Sequence, residues 1–397
     1  MFLCKKVCAS ALLLISALSL ASVVHADVDP VVFTFSTLGD SRQDPTGADS
    51  TQLPLSGQDK KWLQNSKAFS RILRSIQAQK AQALFFNGDM IMGYGKAIIP
   101  ATIPATPSDL MFKTDLGQFY VQYAFWRGMV APVMEGGTYI VPVPGNHEVQ
   151  CKACVPAKTA QVENENAWRD NMGDLIIDSS RWASMGLPAY SHFATYPLSN
   201  PNSAADGITT DQSQLSFSFD IGDSHFAIVN TDPVGKDAHA PTAWLAADLA
   251  SAQTNGANHY FVFGHKPAYT YYYDQITPLP ALPSSALDRD ITARDAFWNV
   301  IEQYHATYFC GHEHIFNAQQ PRLASNTGTA WQILVGSGGS PFDAKLSDAN
   351  ASSYLPTDRL YAWATVKIHQ SGTVNIDVYG FNTAYGPTLL LKSIVTQ

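Results

Sequence analysis

The sequence predicts a mixed α/β (α+β) protein in which two β-sheets pack face to face and helices flank them. Two observations carry this prediction. Strand-like and helix-like segments alternate in both halves of the chain, and a strand–helix–strand unit implies a parallel pair of strands with a right-handed crossover. In addition, five short strand-like runs each end in a glycine followed by Asp, Asn or His. Open α/β sheets hold their ligands at such carboxyl ends of strands.

In the first half of the chain, strands are predicted at residues 31–38, 83–87 and 138–143. Residues 59–79 carry apolar side chains at helical spacing and should connect the first two strands. Residues 93–115 are rich in Gly, Pro and Thr, which is typical of a loop over the strand ends. An aromatic-rich helix is predicted over residues 119–129.

Residues 149–212 are predicted to be an insertion. A structureless loop of that length is improbable, so the segment should carry short helices and cover the functional site. Further along, apolar and polar residues alternate on both sides of Gly222-Asp223, which predicts a hairpin. The other predicted elements are helices at 242–252 and 293–305 and strands at 260–263, 307–310, 331–335 and 362–381, the last with a turn at Gly372.

Polar residues that follow strands form the main functional signal. These motifs are Gly39-Asp40, Gly88-Asp89, Gly145-Asn146-His147-Glu148, Gly264-His265 and Gly311-His312-Glu313-His314. One such segment is common in any α/β protein. Five in one chain, all offering oxygen or imidazole groups, indicate a shared site.

In this order, the motifs resemble those of the calcineurin-like metallophosphoesterase superfamily, whose members include purple acid phosphatases, nucleotidases and phosphodiesterases. The resemblance spans residues 33–339, and Gly-Asn-His-Glu and Gly-His-x-His are its specific elements. It implies an αββα sandwich over residues 27–397 and two metal ions, for which mixed N and O ligands suit Zn, Fe or Mn. It also implies hydrolysis of a phosphate monoester or diester by water or hydroxide held between the ions.

The resemblance further implies roles for individual residues. Asp89 would bridge the two ions, because a carboxylate has two oxygens to share. The other implied metal ligands are Asn146, His265 and His312 for one ion and Asp40 and His314 for the other. His147 would be a proton donor or a partner of a phosphate oxygen. Glu148 either orients His147 or faces the surface.

Two positions depart from the pattern of these relatives. The residue two after Asp40 is usually His and here is Arg42, and the purple acid phosphatase pattern has Tyr where this chain has Met92. A guanidinium has no acceptor atom and cannot bind a cation, so the first metal site would lose a ligand. Arg42 can instead pair with phosphate oxygens, or turn away and pair with Asp44. Its presence supports an alternative function, a catalytically weakened protein that binds a phosphorylated ligand or partner without turnover.

The amino terminus predicts a secretory signal peptide over residues 1–26. Two lysines precede an apolar run at 9–20, and small residues stand where a signal peptidase cuts. An amino-terminal membrane anchor is the alternative. Removal of this segment takes away two lysines and no acids, so the net charge moves from −8 to −10. The expected location is secreted or periplasmic.

Composition limits the partners. Hydrophobic residues make up 46% and charged residues 15% of the chain, which is typical of a well-cored globular protein. An acidic chain is not expected to bind duplex nucleic acid, and no transmembrane candidate follows residue 26. The expected partner is a small phosphorylated substrate, and the oligomeric state stays open.

Three cysteines follow the predicted signal peptide. In an oxidising compartment Cys151 and Cys154 are expected to form a local disulfide, with a redox-active or zinc-binding pair as the alternative. Cys310 falls in an apolar strand and is expected to be a small buried hydrophobic residue.

Overall fold

A computed structural model describes residues 29–43, 63–93, 95–198, 201–270, 285–321, 328–342 and 360–396. The predicted signal peptide and Asp44 lie outside the described residues. Within those ranges, no helix combines the length and the apolar character that crossing a membrane requires.

The first sheet is built from both ends of the chain. Side by side, its described strands are β15 (Leu389–Thr396), β14 (Val374–Asn382), β13 (Leu360–His369), β1 (Val31–Leu38), β2 (Ala83–Asn87) and β3 (Tyr139–Val143). β1, β2 and β3 run parallel, and the pairings outside them are antiparallel. Helix α1 (Leu63–Ala78) connects β1 to β2, so the predicted strand–helix–strand unit is confirmed.

The second sheet comes from the middle of the chain. In spatial order its described strands are β11 (Phe316–Gln319), β12 (Gln332–Val335), β10 (Thr307–Cys310), β9 (His259–Phe263), β8 (Ser224–Ile228), β7 (Phe217–Ile221) and β6 (Tyr190–Thr195). β8, β9, β10 and β12 are parallel neighbours. The predicted hairpin is confirmed as β7–β8, with Gly222 at a φ of 61° in the turn.

The other described helices and a small hairpin complete the element order. The helices are α2 (Pro107–Lys113), α3 (Asp115–Glu135), α4 (Asn146–Val149), α5 (Val162–Met172), α6 (Ser179–Ser184), α7 (Pro201–Asp206), α8 (Thr242–Thr254) and α9 (Ile291–Gln303). The hairpin pairs β4 (Gln150–Cys151) with β5 (Thr159–Ala160). α2 corrects the expectation of a loop over residues 93–115. Its start has a local signal, since Thr106 accepts a hydrogen bond from the N–H of Asp109 and proline occupies the first helical position.

Residues 149–212 are built into the sandwich. Trp168 of α5 packs in the outer core of the first sheet, and β6 pairs with β7 at the edge of the second. The segment does carry short helices, as expected, and parts of it extend the two layers.

Side chains on alternating sides of the strands form three apolar core clusters, one between the two sheets and one on the outer face of each sheet. Phe85 of β2 points between the sheets and stacks on Phe263 of β9, with ring centroids 4.1 Å apart. Its neighbour Phe86 points outward against Trp126 of α3. On the outer side of the second sheet, α8 and α9 pack over residues such as Val262 and Tyr308. The layers are therefore helix, sheet, sheet, helix, and the predicted fold class is confirmed.

Candidate metal centre

The polar residues after five strands meet at one edge of the sandwich. Asp40 follows β1, Asp89 follows β2, and β3 leads into Asn146. His265 and His312 follow the neighbouring strands β9 and β10 of the facing sheet. Because these strands are parallel within each sheet and the sheets pack face to face, their carboxyl ends lie together. The structure brings all of the sequence-predicted site residues into one connected cluster.

One half of the cluster groups Asn146, His265 and His312 with Asp89. Oδ1 of Asn146 lies 2.9 Å from Nε2 of His265 and 2.9 Å from Nδ1 of His312. The two ring nitrogens are 3.3 Å apart. Oδ1 of Asp89 lies 3.2 Å from Nε2 of His265. Four nitrogen and oxygen atoms thus face one another around a small space.

The other half groups Asp40 and His314 with the same Asp89. Each of these three buried residues offers a ligand atom, and the three atoms lie within 4.8 Å of one another. Oδ1 of Asp40 is 3.4 Å from Nε2 of His314, and Oδ2 accepts a hydrogen bond from the backbone N–H of His312 at 2.9 Å. Asp89 therefore belongs to both halves, as a shared carboxylate must.

Hydrogen bonds fix which nitrogen of each imidazole faces the centre. His265 can donate from Nδ1 to the backbone carbonyl of Asn87 at 2.7 Å. Nδ1 of His314 contacts the carbonyl of Pro341 in the same way. In the neutral form of each ring, these hydrogen bonds leave Nε2 as the lone-pair atom that points inward. The ring of His312 has the opposite orientation to those of His265 and His314. Its Nε2 lies 2.8 Å from Oγ of Ser285, and its Nδ1 points inward.

Local backbone conformation aims several of these side chains. Asp40, Asp89 and His312 have φ angles of 62°, 57° and 73°, in the left-handed region that residues other than glycine seldom adopt. Gly145 has no room for a side chain, since a Cβ there would lie 2.4 Å from the backbone nitrogen of Asp89. Strained conformations of this kind concentrate at functional sites.

Glu148 neither orients His147 nor faces the surface, so both sequence-based expectations are wrong. It is fully buried, and its carboxylate accepts hydrogen bonds from the backbone N–H groups of Gly145, Asp89, Met90 and Ile91 at 2.8–3.1 Å. Burial raises the pKa of Glu148 to about 7. The four donors nevertheless occupy the lone pairs that an added proton would need, so the geometry selects the ionised form. Glu148 joins the turn after β2 to the turn after β3.

Buried charges of both signs balance across the site. Burial opposes ionisation of Asp89, but His147, His265 and Arg42 outweigh it and keep the pKa of Asp89 well below its ordinary value. Burial would lower the pKa of His265, yet Asp89 and Asp40 raise it to about 9. The carboxylates of Asp89 and Asp40 therefore attract positive charge at the position of His265.

Arg42 lies beside this cluster. Its Nε is 3.6 Å from Oδ2 of Asp89, and one terminal nitrogen is 3.5 Å from Nε2 of His314. The other terminal nitrogen contacts the sulfur of Met92 at 3.2 Å. The two positions at which the sequence departs from its relatives therefore touch each other, next to the acidic residues.

His147 lies on the same side of the site as Lys152. Lys152 was not predicted from the sequence to be a site residue. Nδ1 of His147 contacts the backbone carbonyl of Met92, and Nε2 lies 3.7 Å from Oδ2 of Asp89. Nζ of Lys152 is 2.5 Å from that same Nε2. Burial lowers the pKa of Lys152 to about 8. The available signal was a lysine five residues after His147, inside a cysteine pair that should hold it near the motif.

The cysteine predictions are confirmed. Cys151 and Cys154 form a disulfide, and Cys310 is a buried free thiol. Burial raises the pKa of that thiol well above its ordinary value, which makes it a poor nucleophile or metal ligand.

The donor set fits metal ions. Bonds of about 2.0–2.1 Å place neighbouring ligand atoms of one cation about 3 Å apart, which matches the separations around Asn146 and His265. Among the described residues, Oδ1 of Asp40 is buried without a hydrogen-bond partner. Such an atom is costly unless a cation satisfies it.

Comparisons with known proteins bear on the fold. No protein-family model matches the sequence, and no curated protein sequence does. Among solved structures, the chain is similar to purple acid phosphatase PPD1 from seeds of yellow lupin (Lupinus luteus), with a TM-score of 0.53 and 12% identity. That match covers 91% of this chain and 53% of the lupin protein, so the chain spans about half its length.

A dimetal phosphatase from Danio rerio matches with a TM-score of 0.47 and 11% identity, over 91% of this chain and all of that one. GAP50, described as the anchor in the inner membrane complex of Plasmodium, matches with a TM-score of 0.43 and 14% identity, over 92% and 88% of the two chains. Together with the layers and strand order described above, the similarity to the lupin protein confirms the fold that the motifs implied, that of the calcineurin-like metallophosphoesterases.

Proposed function

We propose that the chain is a metal-dependent phosphoesterase that hydrolyses a small phosphorylated substrate. The observation that carries the proposal is the convergence of six oxygen and nitrogen side chains, with the imidazoles oriented inward by hydrogen bonds. The metal ligands are Asp40, Asp89, Asn146, His265, His312 and His314. Two bound ions, Zn, Fe or Mn, would polarise the phosphoryl oxygens and lower the pKa of a water molecule.

Three residues of the chain have distinct roles in the proposed reaction. Asp89 lies in both halves of the cluster and links them. His147, whose Nδ1 contacts the carbonyl of Met92, presents Nε2 to the substrate side, and in its protonated form it donates a proton to the leaving alkoxide or a hydrogen bond to a phosphate oxygen. Arg42 lies where its guanidinium can pair with phosphate oxygens.

We further propose that residues 1–26 are a signal peptide and that the mature protein is secreted or periplasmic. The Cys151–Cys154 disulfide supports an oxidising compartment, because such bonds are rare in the reducing cytosol.

The test begins with the protein purified with its disulfide intact. Metal content is measured by elemental analysis, and hydrolysis is followed with 4-nitrophenyl phosphate and bis(4-nitrophenyl) phosphate. Chelation should abolish hydrolysis of whichever ester is a substrate, and adding back Zn, Fe or Mn should restore it. Hydrolysis that survives complete metal removal would overturn the proposal.

Replacement of the shared carboxylate sharpens this test. Asp89→Ala should abolish turnover and lower the content of both ions, because Asp89 is the shared ligand. The control is Asp109→Ala, a surface residue of α2 that pairs with Lys113 at 2.8 Å. Turnover near the wild-type rate with both ions retained in Asp89→Ala would show that Asp89 does not bridge.

A second function is favoured by one observation, the presence of Arg42 beside Asp89 where relatives have a metal-binding imidazole. The chain would then bind a phosphorylated ligand or partner without turnover. Metal-loaded protein that binds inorganic phosphate but hydrolyses neither ester would support this alternative.

A further inference from the structure

We propose that Lys152 binds a phosphate oxygen of the substrate and that the Cys151–Cys154 disulfide holds it in place for that purpose. The resulting site should prefer a phosphomonoester, with its dianionic phosphate, over a phosphodiester. This inference rests on the proposed phosphoesterase function and names the substrate class that the site would take.

The position of Lys152 is set by the backbone around it. Its neighbour Cys151 is buried and lies in β4, which pairs with β5 through Cys151 and Thr159. The carbonyl of Cys151 also accepts a hydrogen bond from the N–H of Lys158 at 2.9 Å. The disulfide to Cys154 closes the short loop that contains Lys152. The partly buried side chain therefore starts from a restrained backbone and points into the site.

Distance places Lys152 within reach of a phosphate bound at His147. Nζ of Lys152 and Nε2 of His147 are 2.5 Å apart. A phosphate oxygen held about 2.9 Å from Nε2 by the protonated imidazole must lie within about 5.4 Å of Nζ. A small rotation of the long lysine side chain then makes a direct contact. The ammonium has three donors and can serve the oxygen and keep other contacts at once.

Charge favours a dianion at this place. Arg42 and His147 both approach Oδ2 of Asp89, at 3.6 Å and 3.7 Å. The ammonium of Lys152 adjoins His147. Two positive charges, those of Arg42 and Lys152, therefore lie close to the position next to that carboxylate oxygen. An ionised monoester carries two negative charges on its phosphate, whereas a diester carries one. The diester must also place a second organic group against these cations, which offers no compensating interaction.

The experiment compares the neighbouring lysines of one loop. Lys152→Met is the test variant, Lys152→Arg retains the charge, and Lys158→Met is the matched control because Lys158 is exposed in the same hairpin loop. Binding of inorganic phosphate is measured by calorimetry on metal-loaded protein. Metal content and kcat/KM for 4-nitrophenyl phosphate and bis(4-nitrophenyl) phosphate are measured alongside.

Lys152→Met should weaken phosphate binding about tenfold or more, the effect of losing one hydrogen bond to a charged group. It should lower kcat/KM for the monoester more than for the diester, with metal content unchanged. Lys152→Arg should recover most of the phosphate affinity, and Lys158→Met should match the wild type. Joint replacement of Cys151 and Cys154 by serine should weaken phosphate binding in the same direction as Lys152→Met.

Equal phosphate affinities for Lys152→Met and Lys158→Met would overturn the role of Lys152. An unchanged affinity in the serine double variant would overturn the part assigned to the disulfide. If metal-loaded wild type hydrolyses neither ester, the proposed function fails, but the calorimetric comparison still decides whether Lys152 binds phosphate.

Discussion

Replacing Glu148 by glutamine tests whether one buried carboxylate holds two metal-binding turns together. Its oxygens accept four hydrogen bonds at 2.8–3.1 Å, from the backbone N–H groups of Gly145, Asp89, Met90 and Ile91. Glutamine has one carbonyl oxygen, and its NH₂ group would point hydrogens at the N–H groups that the other oxygen now serves. Two of the four hydrogen bonds are therefore lost, and the other two lose the help of the negative charge.

The magnitude follows from those four contacts. A hydrogen bond to a charged group contributes about 1.5–3 kcal/mol, so the loss of two should lower the free energy of unfolding by at least about 3 kcal/mol. That is a large part of the total of about 5–15 kcal/mol for a typical protein. Since the turns carry Asp89 and Asn146, metal affinity should fall about 10–100-fold as well, as for other residues that orient metal ligands.

The assay combines urea denaturation of metal-free protein with a chelator competition for bound metal. Glu165→Gln is the matched control, because Glu165 is equally buried but accepts hydrogen bonds from Gln212 at 2.8 Å and the N–H of Val234 at 3.3 Å. That variant should keep the wild-type metal affinity. An unfolding free energy of Glu148→Gln within about 0.5 kcal/mol of wild type, the size of a surface effect, together with unchanged metal affinity, would refute the reasoning.

Three further predictions concern other residues. His147→Ala should keep its metal while losing about 10²–10⁴-fold in rate on esters with poor leaving groups and less on activated aryl phosphates; an equal loss on both would argue against proton donation. Arg42→His should bind metal more tightly and Arg42→Ala should raise KM; no change in either quantity would place Arg42 outside the site. His225 is held between Asp220 and Asp248 at 2.6 and 2.9 Å, and although burial lowers its pKa, these partners raise it from 6.5 to about 9. A raised pKa stabilises the fold below pH 6.5, by about 3 kcal/mol at full strength, and this stability is lost as pH rises through about 9. Urea denaturation across that range should show a steeper loss for wild type than for His225→Gln, and parallel curves would contradict the assignment.

Local sequence patterns determined much of the fold. Buried strands such as β2 and β9 appear as short apolar runs that end at a glycine, and the β7–β8 hairpin follows from alternation around Gly222. The fold class followed from the alternation of these runs with helical segments. The disulfide between Cys151 and Cys154 was predictable because the two residues are three positions apart. These features depend on hydrogen bonding and periodicity within a few residues, which one chain segment specifies by itself.

Edge strands were harder to predict. β15 exposes most of its side chains, and Lys392 and Ser393 interrupt its apolar residues. β6 is likewise mostly exposed or half-buried. Such segments become strands because a neighbouring strand offers hydrogen bonds to them, β14 for β15 and β7 for β6.

The sequence by itself predicted which residues could bind metal, through a motif resemblance that depends on residue types and on their places after strands, which are local properties. Only the tertiary structure decided what each side chain contacts. Arg42 and His314 are 272 positions apart in the chain, yet their side-chain nitrogens lie 3.5 Å from each other. Glu148 accepts hydrogen bonds from backbone groups of a different turn, 57 to 59 positions earlier in the chain. Contacts of this kind depend on how two sheets and their turns pack against each other, and no short segment carries that information.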